Sequence, residues 1–352
     1  MKILVIQKKR IGDVLTTTVI FDALREAFPQ AELHYLVYPF CVPVVAHHPN
    51  IDQLVVFDPQ AKPALWHFLR MLWRLRRARY DVIIDAYGKP NSLLMAWCSG
   101  ARRIISFDKP KYRWLTTDPV IRQTENFSVG TSAIDHRMQL LGPLGVPFAL
   151  WRPQINITPK ERSEAQQHLK AAGISTHRSL WMISAIGSRD FKTYPLAYMA
   201  QLLEKLLEVD PTAQLLFNYE PHQRQQAQAL YDLCTPQVQS AISMSLYIAD
   251  LRGFLALLSH CNALLGNEGG ATNMAKALGL PTFSIFSPAV DKKGWNMYED
   301  GHTHCSVQVR DYKTDSDLKE ADNATQYALF TPDLFTADWQ AFVRRHARQQ
   351  PA

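Results

Sequence analysis

The sequence lacks several features that would assign a protein to a class at once. Its five cysteines are odd in number, scattered and without a Cys-x-x-Cys pair, which argues against a disulfide framework or a structural zinc site. No apolar run is long enough to span a bilayer, and the opening MKILVIQKKRIGD becomes charged too soon for a signal peptide. No nucleic-acid-binding motif is recognisable. We therefore expect a protein of the reducing cytoplasm.

Length and charge give the next bounds. The chain has 352 residues, of which 47% are hydrophobic and 20% charged, a globular composition with room for two domains. Residues 1–170 carry 23 Lys and Arg against 14 Asp and Glu, whereas the remainder carries 15 against 18. We expect the first half to meet an anionic partner, such as a phosphorylated lipid or a membrane surface. Nucleic acid ranks lower, because the basic residues interleave with apparent core strands.

Apolar segments of strand length alternate with segments of helical period along the chain. This βαβα order predicts parallel sheets with helices on both faces, in two doubly wound halves joined near residues 153–159. Ligands of such folds bind at the carboxyl ends of strands, so a cleft between the halves is expected. The predicted strands are residues 2–7, 32–38, 54–57, 81–86, 103–107, 180–185, 213–219, 263–265, 282–286 and 306–310. The predicted helices are residues 14–27, 42–47, 62–79, 91–98, 131–141, 163–172, 196–207, 221–234, 251–259, 271–278 and 336–345.

A glycine-rich turn organises the second half. The run GNEGG at residues 266–270 separates a strand from a helix, and a second strand follows. Its two adjacent glycines allow a ligand to approach the backbone, and the helix behind them offers unpaired N–H groups and a positive dipole end. We expect a phosphate or diphosphate to bind here. Glu268 and Asn273 are polar residues that could bind hydroxyl groups of the ligand beside the phosphate. The alternative is a tight turn that serves the fold alone.

Two further loops carry candidate residues. The loop at residues 8–13, KKRIGD, leads from the first strand into a helix, and Asp13 is suited to cap that helix. The loop at residues 186–195 follows the strand of residues 180–185 and contains Lys192. A lone lysine in such a loop is by default an ordinary surface residue.

Taken together, these motifs resemble the lipopolysaccharide heptosyltransferases, the ADP-heptose-dependent glycosyltransferase family 9. The family opens with Leu-Gly-Asp-x-Leu and Ala-Leu-Arg-x-x-Phe-Pro, matched by residues 11–15 (IGDVL) and 23–29 (ALREAFP). Its Ala-Ala-x-Gly-x-Pro-Thr run is matched by residues 276–282 (KALGLPT). Lys192 before Tyr194-Pro195 is similar to the family's lysine before an aromatic-Pro pair.

The chain departs from the family pattern in two loops. Where the family reads Asp-Thr-Gly-Pro-x-His, Glu268, Gly269 and Asn273 replace the aspartate, threonine and histidine. Residues 8–10 are Lys-Lys-Arg where hydroxyl-bearing residues are usual. A glycosyltransferase of the same fold that uses another nucleotide sugar is therefore one alternative. A non-catalytic protein that binds a nucleotide sugar or a glycan is another.

The resemblance implies a GT-B fold, an α/β architecture in which two Rossmann-like doubly wound domains face a central cleft. It also implies an inverting glycosyltransferase that transfers a heptose from ADP-heptose to a lipopolysaccharide core acceptor. We expect no metal to be required, because Lys192 and the helix N-terminus after Gly270 would both serve the phosphates. We expect an N-terminal acceptor domain at residues 1–158 and a C-terminal nucleotide-sugar domain at residues 159–332. Residues 333–352 are expected to form a helix that packs back on the first domain.

The same resemblance assigns roles to residues. It implies that Asp13 is the general base, which takes the proton of the acceptor hydroxyl as that oxygen attacks the anomeric carbon. It implies that Lys192 neutralises the donor diphosphate as the sugar bond breaks. The residues expected to hold the donor are Ser188, Arg189, Glu268, Gly269, Gly270, Thr272 and Asn273. Lys8, Lys9 and Arg10, which depart from the family pattern, are expected to hold acceptor phosphates or else to be simply solvated. Lys89 is a further acceptor-binding candidate.

A basic and aromatic helix is predicted at residues 62–79. Arg70, Arg74 and Arg77 recur there at helical spacing, and leucines occupy another face. One interpretation is a domain helix with a solvated stripe of arginines. The other is a face that meets the lipid acceptor, which would bring a cytoplasmic protein to the inner leaflet of the inner membrane.

Overall fold

The structure is a computed structural model that describes residues 1–123, 132–175, 177–319 and 321–348. Contacts between residues divide the chain into two compact units, residues 1–156 and residues 157–352. Each unit is built on a parallel β-sheet. The predicted alternation of strands and helices is therefore present in both halves of the chain.

The first unit is a parallel sheet with helices packed on it. Its strands are β1 Lys2–Ile6, β2 Glu32–Val37, β3 Gln53–Val56, β4 Val82–Asp85, β5 Arg103–Phe107 and β6 Asp118–Val120. Its helices are α1 Ile11–Thr17, α2 Val19–Ala27, α3 Val42–Val45, α4 Ala64–Ala78, α5 Pro90–Ser99 and α6 Ser132–Gln139, with 3₁₀ turns at Pro39–Cys41, Pro110–Leu115 and Gly142–Leu144. The strand order is β3-β2-β1-β4-β5-β6. Loops that leave the adjacent strands β1 and β4 therefore meet at the point where the order reverses, which is where doubly wound folds bind ligands.

The second unit repeats this construction. Its strands are β7 Leu180–Ser184, β8 Gln214–Asn218, β9 Ala263–Asn267, β10 Thr282–Phe286 and β11 His304–Gln308. Its helices are α7 Pro159–Ala171, α8 Leu196–Val209, α9 Arg224–Leu233, α10 Pro236–Ala241, α11 Leu251–Leu258, α12 Gly270–Ala277, α13 Lys292–Trp295, α14 Asp315–Leu318, α15 Asn323–Ala328 and α16 Thr336–His346, with 3₁₀ turns at Asp190–Lys192, Pro221–Gln223, Val309–Asp311 and Pro332–Leu334. The strand order is β11-β10-β9-β7-β8. β7 and β9 are neighbours, so the loops that follow them lie side by side.

The first helical segment differs from its prediction. The single helix expected at residues 14–27 is two helices that break at Thr18. Thr17 and Thr18 donate their hydroxyl hydrogens back to the carbonyl oxygens of Asp13 and Leu15, both at 2.7 Å, a bond that competes with regular helix geometry. Because α1 begins earlier than expected, Arg10 takes the N-cap position. Asp13 lies in the first turn, so its interpretation as the capping residue is wrong.

The strand β6 and the helix α6 of the first unit also bear on the predictions. The short strand β6 was not expected from sequence, because Asp118-Pro119-Val120 has a proline in its middle, and proline is tolerated only where a strand lies at a sheet edge or bulge. The helix expected at residues 131–141 is α6. Residue 131 itself lies outside the described residues.

The last helix packs within the second unit. We expected residues 333–352 to pack on the first domain, and residues 349–352 lie outside the described residues. In α16, however, Trp339, Phe342 and Val343 are buried in the apolar core that also contains Trp181 of β7, and the Trp339 ring lies 5.2 Å from that of Phe283 in β10. Three large apolar side chains on one helical face need a core, and the sheet of the second unit supplies it.

Candidate active site

The loop after β1 has a strained residue at its centre. Arg10 has φ 64° and ψ 114°, a conformation that costs a residue other than glycine on the order of 1–3 kcal/mol. Such strain is retained when the surroundings fix it, and it is often found at functional sites. Here it turns the chain sharply from the strand into α1, which carries Asp13 in its first turn.

A cavity of about 450 Å³ lies beside this loop in the first unit. Predicted residues from both adjacent loops line it: Lys9, Arg10 and Asp13 after β1, and Lys89 after β4. Two further arginines and a histidine in its wall, which the sequence did not single out, are Arg122, Arg137 and His136. One carboxylate among five permanent cations makes this cavity suited to an anionic ligand with a hydroxyl that can lose a proton.

Arg137 is the direct partner of Asp13. Its Nη2 donates to Asp13 Oδ1 at 2.7 Å, its Nε donates to Thr17 Oγ1 at 3.2 Å, and its Nη1 donates to the carbonyl of Ala133 at 2.7 Å. A charge-assisted bond of this kind fixes the orientation of the carboxylate. Sequence reasoning missed Arg137, because nothing in its local spacing shows that α6 packs against α1.

His136 adds a neutral group to the same wall. Burial, together with the positive charges of the neighbouring Arg122 and Arg137, lowers the pKa of its imidazole to about 4. The ring is therefore uncharged near neutral pH, and it can bond to a ligand hydroxyl without adding to the positive charge of the cavity.

Lys8 does not join the other cations at the cavity. Its side chain is fully buried, and its Nζ lies 5.4 to 5.8 Å from the ring centroids of Tyr38, Phe57 and Tyr87. Burial lowers the pKa of its ammonium to about 8, and the negative charge of Asp85 opposes that shift. Lys8 therefore packs below the loop as a buried cation over aromatic rings, which corrects its predicted place among the acceptor-binding residues.

In the second unit, Asn267 at the end of β9 ties down the loop that contains Lys192. Its Oδ1 accepts from the backbone N–H of Tyr194 at 2.6 Å, and its Nδ2 donates to the carbonyl oxygens of Ser184 and Ala185, each at 2.9 Å. Both ends of the loop are thus bonded to one fully buried amide. Sequence reasoning named residues on both sides of Asn267 but missed Asn267 itself.

Between those ends, the predicted Lys192 and Glu268 form an ion pair. Lys192 Nζ lies 2.9 Å from Glu268 Oε1, because the loops after the neighbouring strands β7 and β9 lie side by side. Ser188 and Arg189 occupy the same loop and are exposed to solvent. The pair holds an ammonium group at the carboxyl edge of the sheet, where it is available to a diphosphate.

The glycines of the GNEGG run have different functions. Gly266 has φ 117°, and a Cβ there would meet the carbonyl oxygen of Ser184 at 2.6 Å, so the fold requires glycine. At Gly269 and Gly270 a Cβ would meet nothing within 4 Å among the described residues. The space beside these two glycines is therefore open, and a ligand could approach their backbone.

The start of α12 adds an unsatisfied hydroxyl group beside this open space. Thr272 is buried, and its Oγ1 has no hydrogen-bond partner among the described residues. It lies in the first turn of the helix, where backbone N–H groups are also unpaired. Asn273, half-buried, is the next residue. Thr272, Asn273 and the helix end together offer groups that can bind an anion with hydroxyl groups.

A second cavity in this unit, of about 290 Å³, follows the end of β8. Tyr219 and Tyr247 stack in its wall with ring centroids 4.9 Å apart, and Met244 and Arg224 also line it. Gln223 connects it to the Lys192 loop, since its Nε2 donates to the carbonyl of Gly187 at 2.7 Å. Sequence reasoning missed this cavity, although an aromatic residue directly after a buried strand was a signal for Tyr219.

The part of the chain that the structure describes contains neither a cluster of metal ligands nor a membrane-spanning helix. No group of three or more His, Cys, Asp and Glu side chains in that part of the chain is arranged to hold a metal ion. The sequence has an Asp-x-Asp pair at Asp315 and Asp317, but Asp317 Oδ2 accepts from Thr314, so it caps α14. No helix among the described residues has the length and apolarity that crossing a bilayer would need.

Comparison with protein families gives one strong match. The model of glycosyltransferase family 9 (heptosyltransferase) matches residues 68–325. Lipopolysaccharide heptosyltransferase 3 of Escherichia coli is 20% identical over 293 residues, which cover 82% of this chain and 83% of that protein. Lipopolysaccharide heptosyltransferase 2 of E. coli strain K12 is 23% identical over 304 residues, 82% of this chain and 83% of that protein.

Solved structures with the same fold include heptosyltransferases. A family 9 glycosyl transferase from Veillonella parvula superposes with a TM-score of 0.82 at 18% identity and covers 97% of both chains. E. coli ADP-heptose lps heptosyltransferase II gives 0.75 at 17% identity, over 97% of this chain and 98% of that one. E. coli heptosyltransferase WaaC with ADP-2-deoxy-2-fluoro heptose gives 0.70 at 15% identity, over 96% and 98%. These matches confirm the predicted fold class, two Rossmann-like α/β units of the GT-B type.

Proposed function

This chain belongs to glycosyltransferase family 9, the heptosyltransferase family, and from that premise we propose that it transfers a heptose from ADP-heptose to a lipopolysaccharide core acceptor with inversion at the anomeric carbon. The observation that carries the proposal is the pairing of Lys192 with Glu268 beside the open N-terminus of α12. An ammonium and a helix N-terminus at one sheet edge form a binding site for a diphosphate.

The donor would occupy the second unit. Its diphosphate would lie against the Lys192 ammonium and the first turn of α12, where the buried Thr272 hydroxyl still needs a partner. Its adenine would enter the cavity beside Tyr219 and Tyr247, since a base has a π-face that stacks on aromatic rings. Glu268 and Asn273 would meet the hydroxyl groups of the sugar.

The acceptor would occupy the cavity of the first unit. Lys9, Arg10 and Lys89 give that cavity a positive field, so we propose an acceptor that carries phosphate or carboxylate near the hydroxyl that reacts. Arg137 would hold the Asp13 carboxylate in one orientation while the carboxylate receives the proton.

The proposed reaction is one displacement. Asp13 takes the proton of the acceptor hydroxyl while that oxygen forms a bond to the anomeric carbon. The bond from the anomeric carbon to the diphosphate breaks on the opposite face, and ADP leaves with the electron pair. Lys192 stabilises the negative charge that develops on the leaving diphosphate.

We propose that the Lys192 ammonium and the N-terminus of α12 bind the diphosphate without a metal ion. The support is that an ammonium and a helix N-terminus already lie at the same sheet edge. Turnover measured after treatment with EDTA should equal that of the untreated protein. Loss of turnover that added Mg²⁺ restores would contradict this part of the proposal.

A donor panel tests the assignment of ADP-heptose. The purified protein is incubated with ADP-heptose, ADP-glucose, UDP-glucose and GDP-mannose, with and without a heptose-deficient lipopolysaccharide acceptor, and release of the nucleoside diphosphate is measured. We expect acceptor-dependent release from ADP-heptose alone. Faster release from another donor favours the alternative raised by Glu268, Gly269 and Asn273, whereas a rise in melting temperature without turnover indicates a non-catalytic binding protein.

We further propose that the reaction takes place in the cytoplasm, at the inner face of the inner membrane. The support is that the relatives are named for lipopolysaccharide, a lipid-linked glycan. Fractionation of cells that express the protein should recover it with inner membranes at low salt. Recovery in the periplasm would contradict the proposal.

A further inference from the structure

Helix α4 has one face buried in the core and exposes large apolar side chains on the opposite side. Met71 and Leu75 are buried on its inner face, with Phe68 and Leu72 packed beside them. On its outer side Leu65, Trp66, Leu69 and Trp73 remain 68%, 72%, 44% and 60% exposed. Single exposed apolar residues are common, but a contiguous group marks an interaction site.

Two more exposed tryptophans lie on the elements that pack next to α4. Trp97 of α5 is 52% exposed and Trp114 of the 3₁₀ turn at 110–115 is 67% exposed, and their ring centroids are 5.9 Å apart. α5 packs against both α4 and that turn. Arg76 of α4 also donates to the carbonyl of Ser99 at the end of α5, at 3.4 Å.

The charge of this region has one sign. From residue 59 to residue 80 the sequence contains one lysine and five arginines and no Asp or Glu. Arg70, Arg74 and Arg77 are exposed on the same outer side of α4 as the tryptophans, and the Arg77 guanidinium lies 4.8 Å from the centroid of the Trp73 ring. Tryptophan and arginine alternate along this outer side of the helix.

We propose that this Trp–Arg surface, the exposed face of α4 with Trp97 and Trp114, docks on an anionic lipid bilayer. Tryptophan rings favour the boundary between headgroups and acyl chains, and arginines nearby pair with anionic headgroups. A second copy of the chain fits poorly, because a two-fold contact through α4 would bring arginines against arginines with no acid from that helix to pair them. Nucleic acid would use the arginines but would leave Leu65 and Leu69 without a partner.

This inference deepens the proposed function, because it names the surface that would bring a transferase to a lipid-linked acceptor. It does not depend on which sugar is transferred. The surface lies within the first unit and apart from the residues that line the acceptor cavity. A test with lipid vesicles alone, without nucleotide or sugar, can therefore fail while the proposed transfer reaction stands.

The test is sedimentation of the full chain with vesicles of phosphatidylcholine, or of phosphatidylcholine with about 30% phosphatidylglycerol. We expect binding to the anionic vesicles that weakens with salt, and little binding to the neutral ones. The triple variant Arg70→Gln/Arg74→Gln/Arg77→Gln should bind about 100-fold more weakly, since each cation near an anionic surface contributes about fivefold. The double variant Trp66→Ala/Trp73→Ala should lose on the order of tenfold.

Matched control variants show whether vesicle binding depends on the Trp–Arg surface or only on the total charge and exposed apolar area of the protein. Lys160→Gln/Arg162→Gln/Lys170→Gln removes the same number of exposed cations from α7, and Phe148→Ala/Leu150→Ala removes exposed apolar groups elsewhere; both should bind like the wild type. Melting temperatures of all variants should stay near that of the wild type, since every substituted side chain is exposed. Equal binding by the α4 variants and the wild type, no binding by the wild type, or self-association that the tryptophan variant abolishes would each overturn the proposal.

Discussion

The first unit orients its candidate catalytic group through a side chain from a neighbouring helix, whereas the second unit also fixes the loop that carries its own. Asp13 is fixed by the guanidinium of Arg137, whose helix packs on α1. Lys192 lies in a loop whose two ends are bonded to the single amide of Asn267. The two candidate groups therefore differ in support: Asp13 depends on one ion pair, whereas Lys192 has an ion pair and a loop fixed at both ends.

The largest effect should come from removing the carboxylate of the first unit. Asp13→Asn should lower the turnover number about 10² to 10⁴-fold, because the acceptor hydroxyl loses its proton acceptor. Donor affinity, measured by calorimetry, should stay unchanged. Asp58→Asn, in the same unit but outside the cavity, should react like the wild type. Unchanged turnover in the Asp13 variant would remove Asp13 as the base.

The corresponding change in the second unit should act on the leaving group. Lys192→Ala should reduce turnover about 10² to 10³-fold, since the developing charge on the diphosphate loses a preorganised cation. Donor affinity should also fall, in contrast to the Asp13 variant. Lys205→Ala, which removes an exposed lysine from α8, is the control. A Lys192 variant that loses neither turnover nor donor affinity would show that the ion pair with Glu268 is structural only.

Two variants distinguish the hydrogen bonds by which Asn267 holds the Lys192 loop from contacts that a side chain would make with the donor. Asn267→Ala should lower the free energy of unfolding by about 2–4 kcal/mol, because it leaves a buried N–H and two carbonyl groups without their partner. Asn273→Ala, at a half-buried position, should stay within about 0.5 kcal/mol of the wild type and weaken donor binding. Urea denaturation and calorimetry measure the two quantities. Equal stability of both variants would show that the Asn267 amide does not hold the Lys192 loop in place.

The smallest effect concerns the buried cation below the first-unit loop. The pKa of Lys8 is lowered in the folded state to about 8, so between pH 8 and 10.5 the unfolded chain binds more protons than the folded one. The contribution of Lys8 to the stability of the wild type should therefore rise across that window, by about 1–2 kcal/mol up to pH 9.5. The stability difference between the wild type and Lys8→Met should therefore change by this amount across the window, because Lys276 and the buried cysteines titrate alike in both proteins. Lys9→Met, at an exposed position, should follow the wild type. Parallel curves for the wild type and Lys8→Met from thermal unfolding would contradict the burial of the charge.

The family and the fold class could be predicted from sequence because both depend on local patterns. The alternation of apolar strands with helices set the two Rossmann-like units, and short motifs such as IGDVL placed Asp13 after a strand. The grouping of Lys192 with Glu268 also follows once β7 and β9 are known to be neighbours. The assigned roles of Asp13, Lys192 and the donor-binding residues stay predictions until the kinetic tests are made.

The sequence by itself determined the alternation of strands and helices and the parallel sheet of each half, because hydrophobic period and turn residues act over short distances. Only the tertiary structure decided which distant side chains meet. It paired Arg137 with Asp13 across 124 positions, buried Lys8 among aromatic rings, and placed Trp339 in the core of the second unit. Such contacts depend on how helices pack on a sheet, and sequence spacing does not encode that packing in any local pattern.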